Sequence, residues 1–86
     1  MIRIISEDEK EQARKIVSDL KLDRLEDPIY APEVVSAKTN KTEGWIWIRG
    51  SFDKRYENDT VLVKLYIKHN ENKWHISKVY WSTFDV

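Results

Sequence analysis

Apolar and polar residues alternate along the middle of the chain with a period of two. From residue 45 to 52, Ile46 and Ile48 fall on one side of an extended strand, while Trp45 and Trp47 fall on the other. This spacing predicts a β-strand with one aliphatic face and one aromatic face. We expect the aliphatic face to line the core, because the aromatic face is flanked by charged positions.

The same period predicts three more strands. Residues 60–68 place Val61, Val63, Leu65 and Ile67 on one side. A shorter strand is predicted at residues 33–38, and a last one at residues 73–83. Polar turns at residues 40–44 and 69–72 and a charged connection at residues 53–59 separate them, so the strands are expected to form an antiparallel meander.

The last strand contains a change of phase. Trp74 and Ile76 share one parity, whereas Val79 and Trp81 share the other, and the change falls near Ser77 and Lys78. A β-bulge there would keep the four apolar side chains on one face. Without a bulge, one face would carry Trp74, Ile76, Lys78 and Tyr80 instead.

The N-terminal part of the chain follows a helical period. Apolar residues recur at Ala13, Ile16, Val17 and Leu20. Ser6 and Glu9 have the spacing of a capping box, which predicts a helix over residues 7–22. The isoleucines at positions 2, 4 and 5 are β-branched and predict a short strand before the helix. Residues 23–32 hold two prolines and are expected to form a linker to the sheet, with Leu25, Ile29 and Tyr30 packed on the core.

The predicted class is therefore α+β: a short strand, one N-terminal helix, and a four-stranded antiparallel meander that wraps the helix. This order, together with the closing sequence Asn-Lys-Trp-His-Ile-Ser-Lys-Val at residues 72–79, resembles the cystatin-like and NTF2-like folds. Cystatin inhibitors bind cysteine proteases through a Q-x-V-x-G hairpin and a Pro-Trp hairpin. Neither signature is present at residues 36–44 or after residue 69, so the resemblance implies a fold and not protease inhibition.

Length and composition predict the number of domains, the location of the protein and whether it binds a metal. With 86 residues the chain is expected to form one domain, residues 1–86. It has no cysteine, no signal-peptide pattern and no apolar run of about 20 residues, so a cytoplasmic protein without a membrane segment is predicted. His69 and His75 are the only histidines and lack the spacing of a metal site, so no metal and no cofactor are expected.

One group of side chains is a candidate binding site. Aromatic and basic side chains share a face of two neighbouring predicted strands, namely Trp45, Trp47, Arg49, Lys64, Tyr66 and Lys68. Such a face can bind a protein partner or a second copy of the chain, since Trp, Tyr and Arg are frequent interface anchors. It can also stack and neutralise single-stranded nucleic acid. A purely structural role, with cross-strand pairs that stabilise the sheet, is the third interpretation.

The balance of 15 basic and 15 acidic residues disfavours nucleic acid. Enzymatic activity is not expected, because one helix leaves few walls for a pocket and the two glycines cannot build a phosphate-binding loop. The sequence therefore predicts a small, non-enzymatic protein-binding module, which either self-associates or binds and inhibits a larger protein. Single-stranded nucleic acid binding is the alternative.

Overall fold

In the described part of the chain, one α-helix packs on one face of an antiparallel sheet. The computed structural model describes residues 4–52 and 60–82. Helix α1 (Glu7–Leu20) leads through a short 3₁₀ turn (Leu22–Arg24) to the strands β1 (Tyr30–Thr39), β2 (Glu43–Ser51), β3 (Thr60–Asn70) and β4 (Lys73–Trp81). The sheet order is β1-β2-β3-β4, with every neighbouring pair antiparallel. The predicted α+β class, the single helix and the meander are confirmed.

Helix α1 begins at the predicted capping box. The Ser6 hydroxyl accepts a hydrogen bond from the Glu9 amide at 3.3 Å, and the Glu9 carboxylate accepts one from the Ser6 amide at 3.4 Å. The helix ends at Lys21, whose φ of 52° lies in the left-handed region, so it is two residues shorter than predicted. Leu22 is buried in the 3₁₀ turn, and its carbonyl accepts a hydrogen bond from the Ile29 amide at 3.0 Å.

The segment before the helix differs from the prediction. Residues 4–6 belong to no strand, and Ile4 is 95% exposed, whereas Ile5 packs against the core. β-Branched residues favour a strand only where a neighbouring strand can pair with them, and local propensity alone does not supply one. Residues 1–3 of that predicted strand, and the predicted connection at residues 53–59, lie outside the described residues.

The core lies between helix α1 and the face of the sheet that it contacts, here called the inner face. Ala13, Ile16 and Val17 are the buried residues of the helix. They belong to one cluster with aliphatic residues of the sheet, which include Ile46, Ile48, Val63, Leu65 and Ile67. The last five are at most 1% exposed, so the aliphatic side of β2 and β3 is the core side, as predicted.

Strand β4 contains a β-bulge at Ser77. Tyr66 pairs with Lys78 and Ile67 pairs with Ile76, which leaves Ser77 as the extra residue. The Ser77 hydroxyl donates to the Tyr66 carbonyl at 3.1 Å. Residues on both sides of the bulge pack against the core, namely Trp74, Ile76, Val79 and Trp81. The bulged alternative of the sequence analysis is confirmed.

Strand β1 begins earlier than predicted and is irregular. Its pairing with β2 shifts between Tyr30 and Glu33 and again between Val34 and Ser36. The second shift turns both Val34 and Ala37 toward the core, where they are 4% exposed. A proline and two irregularities disrupt this edge strand, and such features protect a sheet edge from pairing with another chain.

Candidate binding face

The side of the sheet away from helix α1, here called the outer face, is organised in two cross-strand rows. The first row runs across the four strands as Ser36, Trp47, Lys64 and Tyr80. The second row, next to it, runs as Lys38, Trp45, Tyr66 and Lys78. Directly opposed residues in an antiparallel sheet lie within about 5.5 Å of each other. Aromatic and basic side chains are thus neighbours in both directions.

Lys64 lies at the centre of this arrangement. Its Nζ is 4.9 Å from the ring centroid of Trp45, 5.6 Å from that of Trp47 and 4.8 Å from that of Tyr66. A cation within about 6 Å of a ring centroid is attracted by the negative face of the ring. One ammonium group therefore covers part of three rings, and its aliphatic stem crosses the aromatic surface.

The edge strand β4 extends the cluster. The rings of Trp47 and Tyr80 meet edge to face with centroids 6.2 Å apart. Lys78 Nζ lies 6.0 Å from the Tyr66 centroid. Tyr80 is 53% exposed, and Lys78 is exposed too. The outer face is consequently tightly packed at its centre and open at its β4 edge.

Four of the six predicted site residues form this cluster: Trp45, Trp47, Lys64 and Tyr66 are all half-buried and in mutual contact through Lys64. The other two lie at opposite ends of the face. Arg49 is paired in register with Glu33 and Leu62. Lys68 is exposed and paired with Glu43 and His75.

Three residues next to the aromatic cluster were not predicted from the sequence: Lys38, Lys78 and Tyr80. Lys78 and Tyr80 could have been found, because a bulge that turns Val79 and Trp81 inward must turn their neighbours outward. Lys38 could not be assigned in the same way. The irregular pairing around Val35 changes the parity of β1, and no apolar pattern in that strand reveals the change.

An open groove of about 400 Å³ lies at the end of the face where β1 turns into β2. Trp45 and Tyr66 contribute aromatic surface to it, Lys38 and Lys68 contribute basic groups, and Glu43 contributes one acidic group. The turn beside it is held by Asn40, whose side-chain oxygen accepts hydrogen bonds from the amides of Thr42 at 2.8 Å and Glu43 at 2.9 Å. The groove thus has a fixed wall and a lining of apolar and charged groups in which basic residues outnumber acidic ones.

The outer face is strongly basic although the chain is neutral. Strand alternation places six basic residues on it, Lys38, Arg49, Lys64, Lys68, Lys73 and Lys78, and two acidic ones, Glu33 and Glu43. Residues 7–27, which form the helix and the turn after it, hold eight acidic and five basic residues. The zero net charge therefore conceals a separation of charge between the two sides of the molecule.

The histidines take part in local contacts. His75 Nε2 lies 3.2 Å from the Asn70 carbonyl oxygen, and the His69 ring meets Trp74 with centroids 5.0 Å apart. Within residues 4–52 and 60–82, no group of three or more histidine, aspartate or glutamate side chains is arranged to hold a metal ion. The described part of the chain also has no helix of the length and apolarity that crossing a membrane requires.

Comparisons with known proteins assign this chain to no family. No family model matches the chain, and searches against curated proteins and against solved structures found no match either. The resemblance to the cystatin-like fold therefore rests on the order of the helix and strands and stays a prediction.

Proposed function

We propose that this protein is a non-enzymatic binding module that holds a protein partner on the outer face of its sheet. The observation that carries the proposal is the group of Trp45, Trp47, Tyr66 and Tyr80 on a sheet face that no described helix or strand covers. Large aromatic side chains gathered on an uncovered face are characteristic of interaction surfaces.

The position of Lys64 favours a protein over single-stranded nucleic acid. Bases bind such sheets by stacking on open ring faces. Here the Lys64 ammonium lies over the rings of Trp45, Trp47 and Tyr66 and would have to leave all three. A protein partner needs no such rearrangement, because it can contact the ring edges, the lysine and the exposed Tyr80 ring together.

Charge favours a foreign partner over a second copy of the chain. Two copies that met through their outer faces would bring six basic residues and only two acidic residues from each side into one interface. Like charges opposed across an interface cost several kcal/mol. The proposed binding is compatible with inhibition of a larger protein. Identification of the partner would show whether binding inhibits it.

The test is capture followed by titration. The immobilised wild-type domain is incubated with cleared extract of its source cells, and a captured protein is identified, purified and titrated calorimetrically against three forms of the domain. We expect saturable binding to the wild type, at least tenfold weaker binding to Tyr80→Ser, and unchanged binding to Lys15→Glu, which alters an exposed residue of helix α1. Tyr80 is suited to this test because its exposure leaves the core intact when the ring is removed.

The opposite pattern would refute the proposal. A partner whose affinity is the same for wild type and Tyr80→Ser, but falls for Lys15→Glu, would bind the helix side. In that case the aromatic cluster serves only to stabilise the sheet.

A further inference from the structure

The lysines that surround the aromatic cluster have no acidic residue opposite them. Both acidic residues of the outer face stand in register with other bases, Glu33 with Arg49 and Glu43 with Lys68. Lys38 is opposite Trp45, and Lys78 is opposite Tyr66. No acidic residue therefore lies directly opposite the lysines around the rings.

Three ammonium groups and an aromatic platform lie within two adjacent rows. Lys38 and Lys78 occupy the two ends of the row that contains Trp45 and Tyr66. Adjacent strands are about 4.8 Å apart, so these two strand positions are separated by about 14 Å. Lys64 lies between them, above the rings. A partner that covers the platform must meet all three charges.

From this charge pattern we propose that the partner presents an acidic segment, with clustered Asp or Glu side chains next to an apolar one. The inference rests on the proposed function and specifies the chemistry of the same surface. The carboxylates meet Lys38, Lys64 and Lys78, and the apolar side chain enters the groove of about 400 Å³ beside Trp45 and Tyr66. Complementary charge raises the rate of association and excludes basic partners, while the aromatic contacts hold the complex.

The acidic residues of the helix side strengthen the assignment. An acidic segment is repelled from residues 7–27, where eight acidic residues outnumber five basic ones, and is attracted to the opposite face. Such a segment therefore has one favourable orientation on the molecule. A neutral or basic segment would have no such preference for the outer face.

The experiment is a selection of random peptides displayed on phage. The wild-type domain, the double variant Lys38→Glu/Lys78→Glu and the control Lys15→Glu are immobilised in parallel. All three substituted positions are exposed, so the folds can be compared by circular dichroism before selection. The most enriched peptides are then synthesised and titrated at low and high salt, beside an oligothymidylate.

We expect acidic peptides with an apolar residue to be enriched on the wild type and on Lys15→Glu. Their affinity should fall at least tenfold in the double variant and should fall as salt rises. The double variant should select peptides rich in Lys and Arg instead. This reversal of preference is a result that loss of folding could not produce.

The contrary outcomes separate the two proposals. Enrichment of neutral or basic peptides on the wild type, abolished by Tyr80→Ser, would overturn the acidic partner and leave the binding face in place. No enrichment above the bare support would contradict the binding function as well. Tighter binding of oligothymidylate than of any selected peptide would assign the basic groups to nucleic acid phosphates.

Discussion

At the scale of single residues, the two faces of strand β2 differ in burial and in the residues that they contact. Ile46 and Ile48 have no exposed surface, whereas Trp45 and Trp47, which alternate with them, are half-buried beneath one lysine. The aliphatic residues make their contacts with helix α1 and the inner face. The aromatic residues contact Lys64 and, through Trp47, the Tyr80 ring of the outer face.

This difference predicts unequal effects of truncation. Replacing Ile48 by Ala leaves a cavity in a fully enclosed site and should lower the free energy of unfolding by about 2–5 kcal/mol. Replacing Tyr80 by Ser removes a ring that is 53% exposed and should cost about 1 kcal/mol or less. Urea denaturation followed by circular dichroism measures both. Equal losses in the two variants would mean that the outer face is buried by another part of the protein.

The helix cap offers a second test at this scale. In Ser6→Ala the Glu9 amide loses its acceptor, so the free energy of unfolding should fall by about 1 kcal/mol. Ser18→Ala is the matched control: Ser18 lies exposed within the same helix, where alanine is the better helix former. Urea denaturation should show a loss for the first variant and none for the second. An equal change in both would show that the cap contributes nothing beyond helix propensity.

At the scale of secondary structure, the bulge of β4 decides which side chains form the binding face. Because Ser77 is the extra residue, Val79 and Trp81 turn inward and Lys78 and Tyr80 turn outward. A regular strand would place these pairs the other way round. The binding face thus depends on this bulge as much as on the identity of the residues in β4.

Deletion of Ser77 tests the assignment of this residue as the extra one. Without Ser77 the residues from Ile76 to Trp81 alternate regularly, so Val79 and Trp81 should stay in the core and the deletion should cost about as much stability as Ser77→Ala. Ser77→Ala keeps the residue count and removes only the hydrogen bond to the Tyr66 carbonyl, which is worth about 1 kcal/mol. Urea denaturation followed by circular dichroism compares the two variants. A deletion that lowers stability by roughly 3–6 kcal/mol, the cost of expelling Val79 and Trp81 at about 1.5–3 kcal/mol each, would contradict the assignment of Ser77 as the extra residue.

The same strand shows how far the sequence could predict the fold. In β4 four large apolar residues change parity once, so the bulge was predictable from the requirement that all four be buried. In β1 the run Val34, Val35, Ser36 and Ala37 gives either parity a plausible inner face, and the shift that buries Val34 together with Ala37 arises only from pairing with β2. Ile4 and Ile5 do not form the predicted strand for a related reason, since propensity does not reveal whether a partner strand is within reach.

The candidate site was predicted to a similar extent. Alternation alone brought Trp45, Trp47, Lys64 and Tyr66 together on neighbouring strands. It could not reveal that Lys64 would lie over three rings, because that depends on side-chain rotamers. Nor could it reveal the basic character of the whole face, because the zero net charge is a sum over both sides of the molecule.

At the scale of the whole molecule, the separation of charge predicts a monomer. Outer faces that carry an excess of lysine repel each other, and the irregular strand β1 offers a poor edge for pairing. Sedimentation velocity from micromolar to millimolar concentration should give one species of monomer mass. A dimer that dissociates in Tyr80→Ser would instead make the outer face a self-association surface.

The most direct test of the binding face uses the four tryptophans as reporters. Trp45 and Trp47 lie on the outer face, whereas Trp74 and Trp81 pack against the core from the inner face. In a ¹⁵N-labelled domain each indole N–H gives its own NMR signal, which can be followed while an acidic, apolar-containing peptide is added. We predict that the Trp45 and Trp47 signals shift in a saturable manner while those of Trp74 and Trp81 stay in place. Shifts confined to Trp74 and Trp81 would contradict the assignment of the outer face as the binding surface, and no shift in any of the four would contradict the acidic partner.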